Sequence, residues 1–152
     1  MDDAIKMLDH QTDETTKQML QHVIDKKKKF DKRKKIHVVT IWGTSLLSFT
    51  YFIYLYYFIV NPYSYSFAAM FSAFVNETTH LYWLLLVIGM FGFMNLMRKE
   101  KEKTEDEYHA LRCEIIDKSK DLWKEEASWK NRHLVFEMIK KKYDINLFVE
   151  NK

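Results

Sequence analysis

IHVVTIWGTSLLSFTYFIYLYYFIV, residues 36–60, runs for 25 residues without Asp, Glu, Lys, Arg or Pro. As an α-helix it would be roughly 37 Å long, enough to span a bilayer core with some tilt. Its β-branched and aromatic residues would suit a strand in water. In hydrocarbon, however, every backbone N–H and C=O must pair internally, and a single segment achieves that only as a helix. The rival, a core helix of a soluble protein, fits this length poorly.

Moving outward, the charge pattern is partitioned in the same way. Every Lys and Arg lies at or before Lys35 or at or after Arg98, so residues 36–97 carry one formal charge, Glu77. On the N-terminal side, Lys26–Lys35 packs eight cations around Phe30 and Asp31. On the other side of a connection, Leu81–Met97 is apolar through Leu84-Leu85-Leu86-Val87-Ile88 and is stopped by Arg98-Lys99. With Thr78, Thr79 and His80 it reaches about 20 residues, close to the minimum crossing length. The first apolar run begins only after a 35-residue, charge-rich segment and is too long for a signal-peptide core, so it is expected to stay in the mature chain.

Cations flank both spans on one side, at Lys32, Arg33, Lys34 and Lys35 and at Arg98, Lys99, Lys101 and Lys103, and the connection has none. The positive-inside rule then places both termini in the cytoplasm. Tyr54, Tyr56, Tyr57 and Tyr63 gather at the outer end of the first span, with Tyr82 and Trp83 at the outer end of the second, as interfacial anchors do. The expected fold is all-α: a transmembrane helical hairpin with long cytoplasmic N- and C-terminal helices. Its parts are an arm over 1–35, spans over 36–60 and 81–97, an outer loop over 61–80 and a second arm over 98–152.

In the outer loop, Asn61-Pro62 turns the chain and Phe67, Met70, Phe71 and Phe74 recur at helical spacing. An interfacial helix is expected there, with a flexible loop as the rival. Between the spans, Gly43 with Thr44 and Ser48 lies at the same depth from the inner border as Gly89 and Gly92, roughly 7–12 Å. Lipid supplies little hydrophobic drive between helices, so these small residues are the expected helix–helix contact.

The C-terminal arm carries a stripe in which Tyr108, Ile115, Leu122, Trp129, Phe136 and Tyr143 fall seven residues apart. Thr104 with Glu107 fits a capping box that would start a fresh helix, and Asp144-Ile145-Asn146 would end it. The companion positions Leu111, Lys118, Glu125, Arg132 and Ile139 are apolar only at the ends, which does not support a regular two-stranded coiled coil. The stripe is therefore expected to bind a partner. The options are the N-terminal arm, where Ile5, Leu8, Thr12, Met19, Val23 and Phe30 make a weaker face, a second copy, or another protein. The tail Ile145–Val149 is apolar again and could dock back.

No chemistry is expected. The six histidines are scattered, with only His109 and Cys113 at i,i+4 spacing, and two ligands do not make a metal site. All three glycines sit in the spans, which leaves no phosphate-binding loop. No base-reading motif accompanies the basic run, so nucleic acid is not an expected partner. Anionic lipid near Lys32, Arg33, Lys34, Lys35, Arg98 and Lys99 is, at about 1 kcal/mol per cation close to the surface. No enzyme activity, cofactor, metal or small-molecule substrate is expected. Two function classes remain: a membrane anchor or adaptor acting through its cytoplasmic helices, and an oligomeric pore-forming, holin-like or transport-accessory protein lined by Thr40, Thr44 and Ser48.

Leu8-Asp9, Thr12-Asp13, Thr16-Lys17-Gln18-Met19-Leu20 and the Lys-rich approach to the first span resemble the YpbF-type small two-span membrane proteins of Bacillus-like bacteria. That resemblance implies a bacterial plasma membrane and brings no site residues with it.

Overall fold

The computed structural model describes residues 2–6, 8, 13–124 and 126–148. Thr12, Glu125 and Val149, among the positions read above, lie outside the described residues. The described chain is helical: α1 (Asp3–Lys6), α2 (Glu14–Leu55) continuing as a π-helical turn (Tyr56–Val60), α3 (Phe67–Asn76), α4 (Thr78–Asp117), α5 (Ser119–Leu122) and α6 (Glu126–Tyr143). It divides into two compact units, one formed by residues 1–33 with 101–152 and the other by residues 34–100.

The second unit is the apolar one. Its two long helices have the length and composition to cross a membrane, and only 17% and 6% of their apolar windows are buried. A core helix of a soluble protein would be mostly buried. Here Val39, Trp42, Phe49, Phe52, Leu85 and Ile88 are each more than half exposed, an apolar surface far beyond the few hundred Å² usual in water.

Within the first apolar segment three hydroxyls along one face are satisfied by their own helix. Thr40, Thr44 and Ser48 donate to the carbonyls of Ile36, Thr40 and Thr44 at 2.8, 2.8 and 2.9 Å. This back-bonding to the preceding turn gives these three hydroxyls acceptors within their own helix. The segment ends in the π-helical turn, where Asn61 N–H donates to the Tyr56 carbonyl at 2.9 Å, five residues back. Pro62, with no N–H to donate, follows at once.

The connection is helical, as its apolar spacing predicts. Ser66, extended at φ −152° and ψ 125°, caps α3 by accepting from Ala69 N–H at 3.5 Å. Glu77 returns to extended backbone at φ −80° and ψ 105°, and α4 begins at the next residue. In the first turn of α4, His80 is buried, its ring stacked on Phe74 and its Nε2 bonded to the Phe74 carbonyl.

In the first unit the two arms share one core. Ile5, Leu20, Val23, Ile24 and Phe30 come from the N-terminal arm, and Tyr108, Ile115, Trp123, Phe136, Ile139, Ile145 and Leu147 from the C-terminal arm. Each fully buried aliphatic stabilises by about 1.5–3 kcal/mol, against about 0–1 kcal/mol for an exposed ion pair, so the apolar cluster dominates this unit.

The C-terminal arm departs from the single long helix expected. α4 runs unbroken through Thr104, whose hydroxyl donates to the Lys101 carbonyl at 2.9 Å instead of capping a new start. Lys101 and Glu105, paired at 2.6 Å one turn apart, support that continuation. The break comes later. Lys118 leaves helical geometry at φ −82° and ψ 5°, and Trp123 at φ −121° and ψ 66°. The turn lets α6 fold back, which is how Phe136 and Ile139 reach the core that holds Tyr108 and Ile115. Asp144 ends α6 at φ 57°, with its N–H on the Lys140 carbonyl at 3.0 Å. That is the left-handed helix end which Asp tolerates better than most residues.

Candidate interaction surfaces and the outer cavity

The six-residue stripe is brought together, and it faces inward. Tyr108, Ile115 and Phe136 are buried, and Leu122, Trp129 and Tyr143 pack against them half-buried. Of the options the sequence left open, the N-terminal arm is the one seated on it within the chain. Phe30 and Tyr108 stack with ring centroids 6.1 Å apart and planes 3° from parallel. Trp123 meets Phe136 edge-on at 5.4 Å, and Phe136 meets Phe148 edge-on at 5.5 Å. Thr16, itself buried, donates its hydroxyl to the Leu122 carbonyl at 3.1 Å, tying the N-terminal arm to the turn between α4 and α6.

Part of the basic run is spent in the same place, which its composition does not reveal. Lys26 pairs with Glu107 at 2.6 Å and Lys28 with Asp2 at 2.7 Å. Lys27 pairs with Asp31 at 3.2 Å and holds its ammonium 5.5 Å from the centroids of both Phe30 and Tyr108. The hydrogen bond from Lys26 holds the Glu107 carboxyl below the ordinary carboxylate range, and that from Lys28 does the same for Asp2. Burial pushes the Tyr108 phenol up. The positions read as lipid contacts differ in exposure: Lys32, Lys34, Lys35, Arg98 and Lys99 are exposed and Arg33 is half-buried.

The expected glycine contact is met on one side only. Gly43 faces the second apolar helix, where a Cβ would stand 3.8 Å from Met90 Cε, and Thr40 and Thr44 beside it are buried, with Ser48 half-buried. Gly89 and Gly92 are exposed, with no heavy atom within 4 Å of a Cβ built on either. The physical reason is helical phase. Trp83, Leu84, Val87, Met90 and Met94 recur at three- and four-residue spacing as the less exposed face of α4, and residues 89 and 92 fall outside that stripe. Equal depth therefore did not mean a shared face, and flexible methionine fills the place assigned to glycine.

Two hollows meet α3. On one face Phe67, Met70, Phe71 and Phe74 line an apolar cleft with Leu55, Ile59 and Val60. On the other, Ala69, Ser72, Ala73 and Asn76 line a cavity of about 700 Å³ whose remaining wall includes Tyr54, Phe58, Tyr63 and Glu77. Thr79 donates its hydroxyl to the Glu77 carboxylate at 2.9 Å, and the Asn76 amide donates to Ser72 Oγ at 3.3 Å. Periodicity marks α3 as a helix, but its small-residue face becomes a cavity wall only once the π-helical turn positions the rings opposite. Among the described residues no three His, Cys, Asp or Glu side chains converge as metal ligands.

Residues 19–150 match the family model described as protein of unknown function (DUF2663). The Bacillus subtilis (strain 168) protein whose name reads "Uncharacterized protein YpbF" is 35% identical over 152 residues, covering the whole of both chains. No solved structure matches. The chain belongs to the DUF2663 family.

Proposed function

We propose that this DUF2663 protein is a non-enzymatic two-span anchor of the bacterial plasma membrane, whose arms fold on the cytoplasmic face into one helical module that binds a protein partner or a second copy of the chain. The observation that carries this reading is the shared core of the two arms, Leu20, Ile24 and Phe30 against Tyr108, Ile115 and Phe136. A hairpin needed only for its spans has no use for such a module. The orientation rests on the cations flanking both spans and their absence from residues 61–80. Lys32, Lys34, Lys35 and Lys99 would then lie where anionic headgroups attract them.

Because the six-residue stripe is engaged internally, a partner would meet the outside of the module. Among the described residues, Leu134 and Phe148 are its large apolar side chains that point outward, 56% and 49% exposed. Leu134 borders a shallow groove with Glu137, Met138, Lys141 and Lys142. The pore-forming reading is less well supported, because Thr40, Thr44 and Ser48 have their hydroxyls on their own helix and lie on the face that carries Gly43.

Affinity purification from native membranes with Leu134→Glu and Phe148→Glu tests the adaptor reading. Loss of a co-purifying protein or of self-association, with the helical content of the arms unchanged, is the expected result. An unchanged set of partners would defeat it, and ion flux through the purified protein in liposomes would favour the pore.

A further inference from the structure

We propose that the cavity between α3 and the outer end of α2 is a binding site for an organic ammonium group. Three independent features converge there. The first is size: about 700 Å³ falls in the range of small-molecule sites and far exceeds what one water or a bare metal ion fills.

The second is charge. Glu77 is the sole Asp, Glu, Lys or Arg between residues 36 and 97, and its carboxylate is held by a neutral partner, the Thr79 hydroxyl. The nearest cations along the chain, Lys35 and Arg98, are each 19 residues from a cavity residue, Tyr54 and Thr79 respectively. At helical rise that is about 28 Å, several Debye lengths at physiological salt. The cavity therefore carries a negative charge that the unit's own cations do not offset.

The third is the aromatic part of the lining. Tyr54, Phe58 and Tyr63 present aromatic rings, whose faces are electron-rich and attract cations. This combination selects among ligands. An anion would find no cationic donor. A calcium or magnesium ion needs six or more oxygen ligands in a tight shell, and the lining offers one carboxylate with the Ser72, Asn76 and Thr79 side chains, which are already hydrogen-bonded among themselves and to Glu77. A purely apolar ligand would leave the carboxylate and the Asn76 amide desolvated. An alkylammonium suits this lining, with its charge on Glu77 and its methyl or methylene groups on the rings.

With the orientation proposed above the cavity opens at the outer end of the spans, so the ammonium could belong to a lipid headgroup such as phosphatidylethanolamine or to a soluble amine. Binding in detergent does not depend on which side of the membrane the cavity faces, so the topology can fail without the site failing, and the reverse.

The test is calorimetric titration of the purified full-length protein with choline and with 3,3-dimethylbutan-1-ol, a neutral analogue of the same shape. Saturable choline binding is expected, weakened at least tenfold for the neutral analogue and at least tenfold by Glu77→Gln. Tyr63→Leu, which removes a ring and keeps the bulk, should weaken choline binding several-fold by a separate route. Absence of saturable binding, equal binding of the neutral analogue, or wild-type binding by Glu77→Gln would each overturn the proposal. Repeating the titration in nanodiscs of phosphatidylglycerol, with and without phosphatidylethanolamine, separates the sources. Competition by the ethanolamine lipid assigns the site to a headgroup, and undiminished choline binding assigns it to a soluble amine.

Discussion

The two units spend their apolar residues in opposite directions. In the unit of the two arms, Ile115, Ile139 and Leu147 are at most 1% exposed and charged residues cover the outside. In the unit of residues 34–100, Trp42, Phe49 and Leu85 are each about two-thirds exposed, and the less exposed face of α2 carries Thr40, Gly43, Thr44 and Ser48 beside Leu47 and Tyr51. One chain thus contains a hydrophobic core and its near inverse. The difference fits the two-span proposal: burial of apolar surface drives packing in water, whereas between helices in lipid the drive falls to close contact and hydrogen bonding.

The largest expected effect comes from breaking the buried side of that contrast. Phe136→Ala removes a ring that packs against both Trp123 and Phe148 and should cost about 3–5 kcal/mol. Chemical denaturation followed by tryptophan fluorescence would read it as a shift of the transition assigned to the arms. Next is Ile88→Arg. Ile88 is 59% exposed, and in water such a surface change would be nearly neutral, within about 0.5 kcal/mol. If that face meets lipid near mid-span, the cost of insertion is about 2.5–3.5 kcal/mol, visible as loss of protein from the membrane fraction.

A smaller effect, about 1 kcal/mol, is expected for Thr16→Val, which keeps the shape but removes the donor to the Leu122 carbonyl. Thermal melting of the purified protein would measure it. The smallest is a pH dependence. Glu107 and Asp2 have carboxyls lowered by Lys26 and Lys28, so the unfolded chain takes up protons before the folded one does. Stability from these pairs is full above the unfolded carboxylate range, about pH 4, and is lost as pH falls through the lower folded values. A melting temperature that declines on acidification below that range, less steeply in Glu107→Gln, is the expected result. Both pairs are solvent-accessible, which keeps the contribution small.

Much of this contrast could be read from residues alone. The uncharged run 36–60 and the cations at Lys35 and Arg98 mark the apolar unit to within a few residues of its ends at 34 and 100. The heptad-spaced stripe identified Tyr108, Ile115 and Phe136 of the other unit's core, with Leu122, Trp129 and Tyr143 packed against it. What it could not show was the fold-back at Lys118–Trp123, because a stripe spaced by seven looks the same along one helix or across a turn. The engagement of Lys26, Lys27 and Lys28 by the arms was hidden for a related reason, since each partner among Glu107, Tyr108 and Asp2 is distant in sequence. The glycine contact misled because depth is a one-dimensional property and packing also requires phase. The outer cavity left one trace in the sequence, a lone carboxylate in an uncharged stretch beside tyrosines.

The most direct test of the account is the sidedness of three single cysteines, in a background where Cys113 is replaced by serine, probed with a membrane-impermeant maleimide in intact cells and in inverted vesicles. The sites are Lys29→Cys on α2, Tyr65→Cys in the connection and Glu137→Cys on α6, all exposed positions. The account predicts that Tyr65→Cys reacts only in intact cells, and that Lys29→Cys and Glu137→Cys react only in inverted vesicles. Labelling of all three from one side, or of positions 29 and 137 from opposite sides, would contradict it.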